Sequence, residues 1–306
     1  MMKGIAIILV IVGHLQLSNF FHHLIYSFHM PLFVIVGGVF FRSKSFSIKG
    51  IRKDIKRLLL PYLSTVSILF IYTAVIVYID GGGDMRGLGI SSIYPNGIKD
   101  TSILPIWFLL AIFWSRLIVK TLFQSNINGV LRWGIIITLS WGVYLYQPMD
   151  TLPLCLTTGT IFIIFYAIGF QANKIKIYNS TPILLASLLL WGIYLLALNT
   201  NFFHLYREFT YPLYVLGATG ATVIVYQLAL LIEQYLPKFR HVLCWFGKYS
   251  MIVLCVHTID RYIPIIHLLH LDLSVFVLFI SRIAVCVIGV FIVKRIRCLR
   301  FVFQVK

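Results

Sequence analysis

The chain has 306 residues, of which 60% are hydrophobic and only 11% charged, with a mean hydropathy of +0.93. Apolar runs long enough to cross a bilayer recur from one end to the other, which excludes a soluble enzyme carrying a single anchor. The formal charge of +17 would suit nucleic acid, but its distribution along the chain argues for membrane topology instead.

In chain order, the first predicted span covers 4–18, just after Lys3. It resembles a signal peptide in outline, but Gln16, Asn19 and Phe20 follow where a small-residue cleavage site is needed, so it reads as retained. Lys3 and His14 are eleven residues apart in it. That spacing puts them on nearly one helix face, about 16 Å apart along the axis. The second span, 24–41, carries His29 followed by Pro31. A turn centred near residues 21–22 makes His14 and His29 almost equidistant from it, so an antiparallel hairpin brings both to one depth. His22 and His23 are expected to be exposed in that turn.

The next inner segment, "FRSKSFSIKGIRKDIKRLLLPY" (41–62), has seven cations within sixteen residues. It suits an anionic lipid surface or a phosphorylated cytoplasmic ligand. Arg57, at the mouth of the third span (58–79), is the cation placed best for such a ligand. The outer segment 78–102 is rich in Gly, Ser and Asn and is expected to be an irregular connector. Six further spans are expected at 103–119, 133–147, 154–171, 182–198, 211–232 and 242–259, the last carrying His257. A tenth, 273–293, carries Arg282 near its middle, where a cation costs roughly 2.5–3.5 kcal/mol. Arg282 must therefore face other helices and pair there.

With the N-terminus inside, the predicted cytoplasmic segments hold 21 of the 26 Lys and Arg residues. Seven of the nine acids lie in the outer segments. The positive-inside rule thus gives an all-α, polytopic integral membrane protein of about ten transmembrane helices with both termini cytoplasmic. Short loops and the lack of an internal repeat make residues 1–306 one integral domain. The five cysteines form no CxxC pair and read as small buried hydrophobes rather than a disulfide framework.

Intramembrane histidines are functional candidates, although each alone also fits a core residue bonded to a helix carbonyl. Neutral imidazole can take a proton from a hydroxyl and return it, which is the work a transferase needs. No metal is expected, because His22, His23 and His29 lack carboxylate or thiolate companions and no HExxH-like spacing occurs.

The segments "KGIAIILVIVGH" (3–14), "YSFHMPLFVIVGG" (26–38), "KRLLLPY" (56–62), "LPIWFLLAIF" (104–113), "FYAIGF" (165–170) and "FGKYSMIVLCVH" (246–257) together resemble the membrane-bound acyltransferase family 3. The likeness is to its bacterial O-acetyltransferases, similar to those acting on fucose and enterobacterial common antigen. It implies a ten-helix acyl-transfer domain in the bacterial cytoplasmic membrane. Acetyl-CoA, or another acyl-CoA, would be the donor substrate, and a cell-surface glycan or its lipid-linked precursor the acceptor. The family's basic residue, ten intervening residues and histidine match Lys3 and His14. Many members have Arg at the first position, often preceded by an acid, where this chain has Met2.

The resemblance implies His14 as general base, with His29 positioning the acceptor or stabilising developing charge. An acyl-histidine intermediate is the alternative. Lys3 and Arg57 are expected to bind the CoA phosphates, and Trp107, His257 and Arg282 to line the substrate cavity. Trp107 fits an interfacial aromatic equally well. The competing function is a polysaccharide or glycolipid exporter or flippase without acyl-transfer chemistry.

Overall fold

The computed structural model describes residues 1–41, 48–94, 105–146, 152–172, 181–198, 207–263 and 274–304. Every regular element among the described residues is a helix. A bilayer interior favours this, because each backbone N–H and C=O must be satisfied without water. In chain order the helices are α1 (Met2–Gly13), α2 (Asn19–Tyr26), α3 (His29–Val39), α4 (Ile48–Asp54), a π-helical segment (Ile55–Leu59), α5 (Leu60–Asp80), α6 (Met85–Ile93), α7 (Phe108–Gln124) and α8 (Gly129–Tyr146). There follow α9 (Leu156–Ile161), α10 (Ile163–Ala172), α11 (Thr181–Leu198), α12 (Arg207–Tyr235), α13 (Pro237–Lys248), α14 (Ser250–Tyr262), α15 (Val275–Arg295) and α16 (Arg297–Phe303).

Among the described residues, six helical stretches are long and apolar enough to span a membrane: Asn19–Val39, Gly50–Ile79, Gly129–Tyr146, Thr181–Leu198, Phe209–Tyr235 and Val275–Arg295. Counting the bent pair α13 and α14 as one span makes seven. The side chains are distributed as lipid requires. On α11, Leu185, Leu189 and Leu196 point outward while Ser187 and Tyr194 are buried, so apolar groups face out and the polar ones face in.

The chain folds into two compact units. The first joins Met1–Lys44, Ser125–Tyr146 and Ile161–Ser250. Here α3 packs on α10, α11 on α12, and α1 on α13. The α3–α10 contact is backbone against backbone: a methyl on Gly38 would overlap the Tyr166 carbonyl, and one on Gly169 the Ile35 carbonyl. Small residues allow this approach, and dispersion then holds the pair where lipid provides no hydrophobic drive. Asn128 caps α8 by accepting from the Leu131 N–H at 2.7 Å.

The second unit joins Ser45–Gln124, Gln147–Thr160 and Met251–Lys306. Pro61 explains its π-helical segment. The residue has no N–H to give to the Arg57 carbonyl one turn earlier, and its ring would collide with that oxygen in an α-helix. Widening to a π turn over Ile55–Leu59 relieves the collision. Helix α7 packs on this turn, held by an Arg116–Asp54 ion pair at 2.9 Å. Buried Ser115 Oγ lies 2.7 Å from the Ala111 carbonyl and 2.8 Å from that of Gly159.

Several predicted boundaries move. The first helix ends at Gly13 rather than 18, and the second begins at Asn19 rather than 24, so His22 and His23 lie on α2 and not in a turn. The second helix is also broken at Ser27–Phe28. Pro31 is the cause, since it cannot bond the Ser27 carbonyl and is tolerated only in a first turn, which makes His29 a natural restart. Helix α7 runs on to Gln124 rather than ending at 119, placing Lys120 on a helix instead of an inner loop. Asp260, expected in an outer loop, is buried on α14. The Gly-rich outer segment contains α6, started by Asp84, whose Oδ1 accepts from the Gly87 N–H at 2.7 Å. The rest of that segment, 95–102, the first two residues of the fourth predicted span, and the inner cations Arg42, Lys44, Lys174 and Lys176 lie outside the described residues.

Candidate active site

Within the first unit, the break after Tyr26 decides where the histidines point. His29 is the first residue of α3 and only 4% exposed. Its Nδ1–H donates to the Ile25 carbonyl at 2.9 Å, the acceptor the broken helix leaves beside it. That bond fixes the tautomer and puts the ring's lone pair on Nε2. His14 sits where α1 ends, with φ −97° and ψ 11°, so its side chain leaves the helix at the turn.

The two histidines converge on one aromatic residue. Tyr26 Oη and His14 Nδ1 are hydrogen-bonded at 3.3 Å, with ring centroids 6.3 Å apart and nearly perpendicular. The Tyr26 and His29 rings meet edge to face at 4.8 Å, and His22 stacks on the same tyrosine at 4.0 Å. Sequence reasoning missed both Tyr26 and this use of His22. The signal was present: residues 22, 26 and 29 follow the i, i+4, i+7 spacing of a single helix face.

Lys3 lies at the other end of the α1–α3 pair, with Nζ 5.2 Å from the centre of the Phe40 ring. That contact sets the start of α1 beside the end of α3, so the pair is antiparallel. The lysine is thus poised over an aromatic face, a position that suits a cation.

The second unit holds the other predicted residues. Arg57 is exposed on the π turn together with Lys56, and Lys53 is exposed at the end of α4 just before it. Trp107 is buried just before α7, with its ring 6.0 Å from that of Phe108. His257 is fully buried on α14, one turn before Asp260. Arg282 on α15 pairs with Asp260 at 3.9 Å, the pairing its position in an apolar helix requires. Nearby, Thr73 Oγ1 and Tyr262 Oη share a hydrogen bond of 2.8 Å.

Lys3 and His14 thus stand at opposite ends of α1, with His29 on its antiparallel partner α3. The profile of acyltransferase family 3, described as an acyltransferase domain, matches residues 1–294. The chain belongs to the membrane acyltransferase family 3. This acyltransferase is therefore an enzyme, and its helices make it a multi-pass membrane protein. No curated protein and no solved structure matches the chain.

Proposed function

We propose that this acyltransferase moves an acetyl group from acetyl-CoA to a hydroxyl of a cell-surface polysaccharide or of its lipid-linked precursor, in the bacterial cytoplasmic membrane. The observation that carries this reading is the convergence of His14 and His29 on Tyr26 among helices that are otherwise largely apolar. His14 is the general base. The acceptor oxygen attacks the thioester carbonyl as its proton passes to His14, the C–S bond breaks, and the proton returns to the departing CoA thiolate. His29, with its lone pair on Nε2, accepts a hydrogen bond from a sugar hydroxyl and so positions the acceptor.

Arg57 and Lys3 receive phosphates of the donor from the cytoplasmic side. Exposure on the π turn suits Arg57 to this task, because a planar guanidinium grips phosphate through two parallel bonds. Lys3 acts as a point charge. The proposed membrane arrangement has ten spans in a single domain with both ends inside. It counts the six long helices, the bent pair, the two shorter apolar helices Met2–Gly13 and Leu156–Ala172, and α7, Phe108–Gln124. Because α1 has only 12 residues, it rises about 18 Å, which leaves His14 well inside a hydrocarbon core of about 30 Å.

The reading is tested by incubating membranes containing the protein with acetyl-labelled acetyl-CoA and following label into the glycan fraction. Alkali-labile label that depends on the protein is expected. Hydrolysis of acetyl-CoA without label in any glycan would overturn the proposed acceptor.

A further inference from the structure

Tyr26 makes three directed contacts with histidines and has no task in the scheme above. It remains 37% exposed, so simple burial does not account for it. A tyrosine kept for packing turns its hydroxyl to a backbone carbonyl, as Tyr62 does toward Ser92 at 2.7 Å. Tyr26 instead directs Oη at an imidazole nitrogen.

An imidazole base works through one nitrogen, and a third group must hold the other to fix tautomer and orientation. For His29 the Ile25 carbonyl performs this task. His14 has already left α1, and its side-chain direction depends on what the ring meets. We propose that Tyr26 is the positioning residue for His14, its Oη accepting the Nδ1–H so that the lone pair lies on Nε2. When Nε2 takes the acceptor's proton, the same Oη stabilises the imidazolium through the Nδ1–H it already holds. The stack on His22, 17° from parallel, together with the edge of His29, keeps the phenol from swinging away. A neutral hydroxyl suits a membrane interior better than a carboxylate, because it needs no compensating charge when the base is neutral. The inference rests on the reading of His14 as general base.

Two substitutions separate this role from packing. Tyr26→Phe keeps the ring and its contacts with His22 and His29 but removes Oη, whereas Tyr26→Leu removes the ring. In acetyl transfer to host membranes, Tyr26→Phe is expected to lower kcat by roughly 10–100-fold, the range seen when groups orienting imidazoles at metal centres are lost. KM for acetyl-CoA should stay unchanged, and Tyr26→Leu should do no better than Tyr26→Phe. Nitrogen NMR of histidine-labelled protein, with His14 assigned by comparison with His14→Gln, should show a protonated Nδ1 in the wild type that is lost in Tyr26→Phe.

Wild-type kcat in Tyr26→Phe with impairment only in Tyr26→Leu would reduce Tyr26 to a packing residue. A wild-type His14 protonated on Nε2 would overturn the proposal outright. If the wild type transfers no acetyl group, the acetyl-transfer reading fails. The NMR comparison then still decides the Tyr26 contact, since it needs no turnover.

Discussion

His29 is held by a carbonyl one turn behind it, and Arg57 by a widened turn that leaves its side chain exposed. The two therefore fail differently when truncated. His29→Ala removes a hydrogen-bonding group next to the reacting hydroxyl, and transfer should fall by about 10²-fold or more. Membrane levels should be normal, as an immunoblot beside the transfer assay will show. Arg57→Ala should weaken acetyl-CoA binding, and the loss should shrink as salt rises, because the contact is a charge on phosphate. Calorimetry across a salt series measures this, and unchanged affinity in a folded variant would remove Arg57 from the donor site. His14 and His29 were legible in the sequence because imidazoles stand out in apolar runs. Tyr26 was not, since a tyrosine in such a run looks like any membrane aromatic, and only its spacing from His22 and His29 distinguishes it. Asp260 as the partner of Arg282 was hidden for another reason: pairing across helices leaves no periodic trace.

Prolines and glycines set the geometry of the elements that carry these side chains. Pro31 breaks the second helix and Pro61 widens the third, and each break falls beside a proposed site residue. Both prolines were visible in the sequence, but high hydropathy on either side made the helices read as continuous. Helix α6 was missed because a Gly-rich composition outweighed the single N-cap at Asp84 that starts it. The α3–α10 contact makes a sharper claim. Gly38→Ala would push a methyl into the Tyr166 carbonyl and is expected to destabilise the fold by about 1–3 kcal/mol, the cost of overpacking. Gly142→Ala, on α8 with open space around it, should be neutral or slightly stabilising. Thermal unfolding in one detergent compares them, and equal melting temperatures would contradict the backbone contact.

At the scale of the whole molecule, charge and hydropathy revealed a multi-pass helical protein at once, because every span must bury its own backbone. The grouping into two units was not legible. Each is assembled from three separated stretches of chain, and interleaving of this kind leaves no compositional boundary. The proposed topology places residues 50 and 302 inside and residue 90 outside. Reporter fusions at those positions test it, and reversal at both 50 and 302 would defeat it. The most direct test of the account compares wild type with His14→Ala for transfer of labelled acetyl from acetyl-CoA to membrane glycan, at matched protein levels. Loss of a general base costs about 10²–10⁴ in rate, so the variant is predicted to leave the glycan essentially unlabelled. Near-normal labelling by His14→Ala would contradict the assignment of His14 as the base.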